Sequence, residues 1–381
     1  MPGKIRRTGL ITTLFALALC AAGLLSLGQS PVVVSAQQKT ETGGTAQDKQ
    51  RPRRVRTPQS EEGTFSDDDV VRVETDLTNV LFTAVDKERR FVTTLRKEDV
   101  RVLENGVPQD VSIFQRETDL PLSIALLVDA SKSEELSLPD EKDAALAFID
   151  SIIRPDKDRV AVISFTGDST IEQGLTPDKT KLRAAIERVK IVFPPTKAEE
   201  AALGLDPQQD PRGWSSIWDA IWFTSNQVMS QTPERTRRAV IILTDGQDTH
   251  SKIKKQEAID AAIKANAVIY AIGIGDPDHY ALEEDTLKKL AEQTGGRAFF
   301  PEDGDELHAA FNQIQDELRS QYLLAYTPAN KARDGSYRRI TLEVVNPELR
   351  KQKLRLLYRQ GYYAGGARQP AASARQPRAK P

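Results

Sequence analysis

The amino-acid sequence predicts an α/β domain with a doubly wound, mainly parallel sheet that is inserted in a small all-β flanking domain. The first observation is a regular alternation of short apolar runs and amphipathic stretches within residues 118–320. The second is a pair of strand-like segments on either side of this region, at 70–117 and 321–364. A chain of 381 residues is long enough for one large domain and a smaller one.

The central block begins with residues 123–128, a continuous apolar run that is typical of a strand buried on both faces. A helix is predicted at 139–153, where Ala144, Phe148 and Ile152 form one stripe. The remaining strands are predicted at 160–165, 239–243, 268–272 and 298–300, and the remaining helices at 179–189, 216–230, 255–266, 282–293 and 305–319. Strand–helix alternation of this kind indicates an open α/β sheet.

The flanking segments contain short runs that alternate in the strand manner. In the first flank, Glu104-Asn105-Gly106 is a turn signal before a returning strand at 111–114, and the second flank has candidate strands at 322–326, 339–345 and 353–358. Each flank has fewer than about fifty residues, which is too short for a stable sheet core of its own. We therefore expect the two flanks to pair into one β-sandwich-like domain.

The start of the chain predicts export. Basic residues precede an apolar stretch at 10–27, and Val34-Ser35-Ala36 is a small-x-small cleavage motif, so residues 1–36 are expected to be a signal peptide. An uncleaved membrane anchor is one alternative, and a lipid anchor on Cys20, the single cysteine, is another. The expected location is the periplasm, the cell envelope or the extracellular space.

The composition excludes one class of partner and separates two terminal segments from the fold. A formal net charge of −2 argues against a nucleic-acid-binding protein held mainly by charge. Residues 37–69 are polar without an apolar period and are expected to be a disordered linker. Residues 365–381 are rich in Ala, Arg, Gln and Pro and are expected to be a disordered tail.

Oxygen-bearing side chains occur in three loops of the central block. Asp129-Ala130-Ser131-Lys132-Ser133 directly follows the first strand, Ser215 precedes a helix, and Thr244-Asp245-Gly246 directly follows another strand. In a doubly wound sheet, the ligand crevice lies outside the carboxyl ends of the strands. We therefore expect these loops to converge.

The residue types suit a hard divalent cation. Magnesium prefers six oxygen ligands and retains part of its water shell. Ser131, Ser133 and Ser215 offer hydroxyl oxygens, and Asp129 and Asp245 supply negative charge. With few direct carboxylate ligands, the metal stays electrophilic and accepts a carboxylate from outside. The sequence therefore predicts a Mg²⁺ site, with Mn²⁺ or Ca²⁺ as alternatives.

The combination of loops resembles the metal-ion-dependent adhesion site of von Willebrand factor A domains. That pattern has Asp-x-Ser-x-Ser in one loop, a Thr in a second and an Asp in a third, and the resemblance covers about 200 residues. More closely, the chain is similar to a family of secreted bacterial proteins related to these domains. Members of that family carry segments like Phe91-Val92-Thr93-Thr94-Leu95-Arg96-Lys97-Glu98-Asp99-Val100 and Gln321-Tyr322-Leu323-Leu324-Ala325-Tyr326-Thr327-Pro328.

The resemblance implies metal-dependent binding of a protein that offers a carboxylate to the metal. The implied direct ligands are Ser131, Ser133 and Ser215, with Asp129 and Asp245 acting largely through water. One departure is Gly213-Trp214-Ser215, where the family usually has Gly-Gly-Thr. Because serine keeps the hydroxyl and loses only the methyl, we expect ligation to survive and loop stiffness to fall.

Several features have a second interpretation. An isolated Asp-x-Ser-x-Ser is often only a helix cap, and the other two loops are what favour a metal site. Trp214, Trp218 and Trp222 are spaced for helix-to-sheet packing, or else for a partner-binding face. Glu134 and Glu135 add negative charge beside the first loop and are expected to select against acidic ligands. Gly273-Ile274-Gly275 is a fragment of a dinucleotide-binding motif and is expected to be only a turn.

The predicted function is that of a binding module and not of an enzyme. Two alternatives remain: a metal-dependent hydrolase that uses Asp129 and Asp245, and a metal site that only stabilises the fold. His250 is the nearest candidate base in the sequence, five residues after Asp245. The insertion at 191–212 is expected to contribute to ligand specificity.

Overall fold

The computed structural model of the chain describes residues 77–365, apart from residues 89, 118, 205, 207–213, 234 and 276–281. The predicted signal peptide with Cys20, the linker and the tail beyond residue 365 lie outside the described residues. The strands are β1 Thr78–Val85, β2 Val100–Glu104, β3 Val107–Gln109, β4 Val111–Glu117, β5 Leu122–Asp129, β6 Arg159–Phe165, β7 Ser169–Thr176, β8 Arg237–Thr244, β9 Ala267–Gly273, β10 Ala298–Phe299, β11 Gln321–Tyr326, β12 Tyr337–Val344, β13 Arg355–Tyr358 and β14 Gly361–Tyr363.

Helices occur mainly between the strands of the central block. They are α1 Leu138–Ile152, α2 Lys179–Arg188, α3 Lys197–Leu203, α4 Ile217–Gln227, α5 Lys255–Lys264, α6 Glu284–Thr294, α7 Gly304–Arg319 and α8 Pro347–Lys351. Within the described part of the chain, none of these helices is long and apolar enough to cross a membrane.

The central sheet has the strand order β10-β9-β8-β5-β6-β7, and all its neighbouring pairs are parallel except β6 and β7. All eight residues of β5 are buried. Its side chains Ile124, Leu126 and Val128 face the core that includes α1, α2 and α7, whereas Ala125 and Leu127 face the core that includes α4, α5 and α6. The doubly wound α/β fold predicted from the alternation is therefore confirmed.

Two elements of this domain were not predicted. The edge strand β7 pairs antiparallel with β6, and its residues are all half-buried or exposed, so it has no apolar run to mark it. Helix α3 lies within the insertion at 191–212. The predicted helix at 216–230 is shorter than expected, because α4 ends at Gln227 and a single 3-10 turn, Met229–Gln231, follows it.

The flanking segments form two four-stranded sheets, with the orders β13-β1-β11-β4 and β14-β12-β2-β3. Each sheet combines strands from before and after the central block, and both contribute to one apolar core. The rings of Phe82 and Tyr322 stack in that core with centroids 5.1 Å apart. The expected all-β flank is therefore built from both segments.

The central block is inserted at a single point of the flank. Strand β4 ends at Glu117, β11 begins at Gln321, and these two residues are directly paired in the antiparallel ladder. Because the chain leaves and returns on neighbouring strands, the insertion leaves the flanking sheet continuous.

Candidate metal centre

Asp129 lies at the carboxyl end of β5 and receives hydrogen bonds from all three predicted loops. It is fully buried. Its Oδ1 accepts from the backbone N–H of Ser131 at 3.0 Å, and its Oδ2 accepts from Thr244 Oγ1 at 2.7 Å and from Ser215 Oγ at 3.0 Å. The structure therefore brings the predicted loops together around one carboxylate.

The first loop places two hydroxyls side by side. A 3-10 turn, Lys132–Glu134, follows Ser131, and the Oγ atoms of Ser131 and Ser133 lie 3.0 Å apart. Ser131 is buried, whereas Ser133 is partly exposed. The backbone N–H of Ala130 donates to Phe165 O at 2.8 Å, which fixes the start of the loop to β6.

The second loop is clamped to the residues that follow β8. The backbone N–H of Ser215 donates to Thr249 Oγ1 at 2.8 Å, and its carbonyl accepts from the N–H groups of Thr249 and His250. Asp248 Oδ1 accepts from the N–H of Ile217 at 2.9 Å, at the start of α4. These bonds fix the backbone of the serine loop to the residues that follow β8. Gly213, the first residue of the departure noted above, lies outside the described residues.

The third loop presents Asp245, which is 2% exposed. Its Oδ1 accepts from the N–H of Gln247 at 2.9 Å. Gly246 has a φ of +85°, and a Cβ on it would lie 3.0 Å from the Cβ of Glu283. The sharp turn after Asp245 therefore requires glycine.

Glu134 belongs to this centre, although it was not among the predicted site residues. It is fully buried, and its Oε1 accepts from the N–H of Asp245 at 2.8 Å while its Oε2 accepts from Ser137 Oγ at 2.7 Å. One carboxylate oxygen from each of Asp129, Glu134 and Asp245 lies within 4.8 Å of the others. Glu135, by contrast, is exposed. The sequence placed both glutamates near the site but did not indicate which side chain turns inward.

Burial governs the protonation of these acids. It raises the pKa of Asp129 to about 6, against the hydrogen bonds from Ser131 and Thr244 and with the help of the nearby charge of Asp245. Burial also raises the pKa of Asp245, although the N–H of Gln247 and the hydroxyl of Ser133 oppose the rise. A divalent cation among these oxygens would offset both the desolvation and the mutual repulsion. The set of hydroxyl and carboxylate donors therefore fits a hard cation.

Of the three tryptophans, one is buried, one is half-buried and one is exposed. Trp218 lies on α4, is 7% exposed and packs in the core between the helices α4 and α5 and the sheet, so its role is helix-to-sheet packing. Trp222 is 38% exposed. The ring of Trp214 stacks on that of His250 with centroids 5.2 Å apart, directly beside Ser215.

Gly273 ends β9 and makes a close contact with the neighbouring strand end. A Cβ on it would lie 2.7 Å from the ring of Phe300, and the N–H of Ile274 donates to Thr244 O at 3.1 Å. Gly273 is therefore explained by the close approach of Phe300, and the turn expected at 273–275 stays a prediction.

Comparison with solved structures gives several similar chains, all of low sequence identity. A protein named BatB from Bacteroides thetaiotaomicron is 18% identical, with a TM-score of 0.41, and the match covers 52% of this chain and 100% of that one. A von Willebrand factor type A protein from Catenulispora acidiphila is 13% identical, with a TM-score of 0.43 and coverage of 76% and 73%. Proximal thread matrix protein 1 from the mussel byssus, described with a zinc-occupied MIDAS motif, is 20% identical, with a TM-score of 0.43 and coverage of 56% and 50%.

Sequence comparison gives a family but no individual relative. No curated protein matches the chain. The family model of the von Willebrand factor type A domain matches residues 123–313, which include the three loops and the sheet that carries them. That match spans half of the 381 residues, and the chain therefore belongs to the von Willebrand factor type A domain family.

Proposed function

We propose that this chain is an exported module that binds a protein partner through a divalent cation. The proposed ligand set is Asp129, Ser131, Ser133, Ser215 and Asp245. The observation that carries the proposal is the convergence of three loops on Asp129, which places hydroxyl and carboxylate oxygens around one point. Mg²⁺ is the proposed ion, with Mn²⁺ and Ca²⁺ as alternatives.

The residues divide into ligands and positioning residues. The three serines offer neutral oxygens, and the two aspartates supply the charge that retains the ion. Glu134 holds the backbone of Asp245, and Thr244 holds Oδ2 of Asp129, so both position ligands. When bound, the metal supplies an open coordination position that a carboxylate of the partner can occupy.

Metal binding is tested by calorimetry with MgCl₂ on the full chain. We expect one binding event in the wild type and its loss in the double variant Ser131→Ala/Ser133→Ala. Ser123→Ala is the matched control, because Ser123 is also a buried serine of this region but lies at the other end of β5. Equal Mg²⁺ binding in the double variant and the control would overturn the ligand assignment.

Partner binding is tested by capture from the parent cell envelope, with MgCl₂ in one arm and with a chelator in the other. A protein retained by the wild type in the magnesium arm only, and lost with Ser131→Ala/Ser133→Ala, supports the proposal. If the chain binds Mg²⁺ and captures nothing in either arm, the metal has only a structural role and the proposed partner function is wrong.

The hydrolase alternative requires a base that activates water beside the metal. His250, the candidate base, has its ring stacked on Trp214, and both oxygens of Asp129 already accept hydrogen bonds. These contacts favour binding over hydrolysis.

Export is tested by sequencing the amino terminus of the protein isolated from its source. Cleavage after Ala36 would give a mature chain that begins at Gln37. A chain that begins at a lipidated Cys20 would replace this proposal with a lipid-anchored protein.

A further inference from the structure

A large concave site lies at the end of the central sheet opposite the metal centre. It is a cavity of about 1470 Å³, lined by the starts of β8 and β9, by strand β1, by the loop at 328–335 and by the segment at 359–365, which contains β14. Its volume exceeds the roughly 300–1000 Å³ of common small-molecule pockets. Because β8 runs from Arg237 to Thr244, its two ends are about 23 Å apart, so this cavity is separate from the metal centre.

The charge of the cavity is strongly one-sided. Eight lysine and arginine residues line it, whereas Glu117 is the only acidic residue among the described lining residues. Arg237 and Arg238 begin β8, and Arg235 lies in the turn just before it. Walls of low dielectric focus the field of such a cluster and attract anions.

Arg237 is the most informative of these cations. It is 2% exposed, and its guanidinium donates to the backbone carbonyls of Leu318 and Glu117. Its Nε–H has no acceptor among the described residues. Burial lowers the pKa of Arg237 to about 10, against the opposing charge of Glu117. Neutral carbonyls orient this cation but do not cancel its charge, and the charge of Glu117 offsets only part of the cost of its burial.

Two further arginines of the cavity each have an N–H donor that makes no hydrogen bond within the described part of the chain. Arg338 is 2% exposed and is neutralised by Glu104, at 3.1 Å. Arg359 donates to the backbone carbonyl of Asn79 at 2.7 Å and to the side-chain oxygen of Asn266, both of them neutral acceptors. Within the described part of the chain, the Nε–H groups of both arginines lack an acceptor. The cavity therefore offers oriented N–H donors as well as positive charge.

We propose that this cavity binds a multivalent oxyanion, a small molecule that carries two or more phosphate or carboxylate groups. Guanidinium groups match the paired oxygens of both, and Lys264 and Lys331 add point charges on the same lining. A monovalent anion would satisfy only one of the cations, whereas a multivalent one spans several of them.

The test is calorimetry on the full chain with pyrophosphate and, separately, with citrate. Both probes chelate Mg²⁺, so the buffer is depleted of metal with a resin, and acetate at matched ionic strength is the monovalent reference. We expect at least one probe to bind about tenfold or more tightly than acetate, with an affinity that falls as NaCl is added. Pyrophosphate alone would assign a phosphate ligand and citrate alone a carboxylate ligand.

Matched variants separate the cavity from general surface charge. Arg235→Gln/Lys331→Gln removes two exposed cations of the lining and is expected to weaken binding about tenfold. Lys97→Gln/Lys181→Gln removes two exposed lysines elsewhere and is expected to leave binding unchanged.

Three outcomes would overturn the proposal. Neither probe binds more tightly than acetate, both double variants lose affinity equally, or binding is lost in Ser131→Ala/Ser133→Ala, which alters only the metal centre.

Discussion

Replacing Asp158 by asparagine tests how the inserted domain is stabilised at the end where it joins the flank. The side chain of Asp158 is 1% exposed and forms ion pairs with Arg154 at 2.9 Å and with Arg319 at 2.8 Å. It also accepts from the N–H groups of Leu122 and Arg154, each at 2.9 Å. One carboxylate thus joins the start of β5, the segment after α1 and the end of α7.

The magnitude follows from the pKa of this carboxyl group. Burial alone would raise it, but the hydrogen bonds from Arg154, Arg319 and the two backbone N–H groups lower the pKa of Asp158 from 3.8 to about 2. That difference corresponds to about 2.5 kcal/mol of stability. Because the folded pKa is the lower one, this stabilisation is present above about pH 4 and is lost as the pH falls towards 2.

Urea denaturation, followed by tryptophan fluorescence, measures the effect. We expect Asp158→Asn to lower the free energy of unfolding by about 2.5 kcal/mol at pH 7. At pH 3 the wild type has lost about 1 kcal/mol of this contribution, so the gap between wild type and variant narrows to about 1.5 kcal/mol.

The control is Asp156→Asn, because Asp156 is an exposed aspartate two residues away. Its free energy of unfolding is expected to stay within about 0.5 kcal/mol of the wild type. A gap for Asp158→Asn that does not change between pH 7 and pH 3, or one no larger than that of the control, would refute the reasoning.

Three further predictions concern the metal, the flank and the last helix. Mg²⁺ at a hundred times its Kd should raise the free energy of unfolding by about 2.7 kcal/mol in the wild type, with no increase in Ser131→Ala/Ser133→Ala, as measured by urea denaturation. Glu104→Gln should destabilise the chain by about 3–5 kcal/mol in the same assay, because Arg338 would stay buried without its counter-charge at 3.1 Å. If ligand binding is relayed through α7, hydrogen exchange across residues 305–326 should change when a captured partner binds with Mg²⁺; unchanged protection would mean that the site holds its ligand without signalling.

The sheet could be predicted because its strands have distinctive sequences. Residues 123–128 and 239–243 are apolar runs, and β5 and β8 are almost wholly buried with helices on both faces. The pairing of the flanks followed from a size argument, since neither segment has enough residues for its own core. Both inferences depend only on the composition and the length of a segment. Neither requires knowing which way an individual side chain points.

The features that were missed depend on the orientation of single side chains or on weak local sequence signals. Glu134 and Glu135 are adjacent acids, and only the 3-10 turn decides that Glu134 points to the N–H of Asp245. Helix α3 did have a readable signal, since Thr196 and Glu199 form a capping box at its start. The loop of Ser215 reaches Asp129 as expected, but its clamp by Thr249 and His250 joins residues more than thirty positions apart.

The flank packs against the end of the sheet that the metal centre does not use. Its Arg359 contacts Asn266, just before β9, and its Gln360 N–H donates to Gln293 O near the end of α6. These contacts lie at the amino ends of the parallel strands, whereas Asp129 and Asp245 lie at the carboxyl ends. A large partner can therefore approach the metal centre without displacing the flank, and the oxyanion proposed for the opposite cavity would bind where the flank and the inserted domain meet. Under the two proposals the sites would differ in role: the metal centre would face a partner, and an anion bound in the cavity would neutralise charge that the insertion itself brings together.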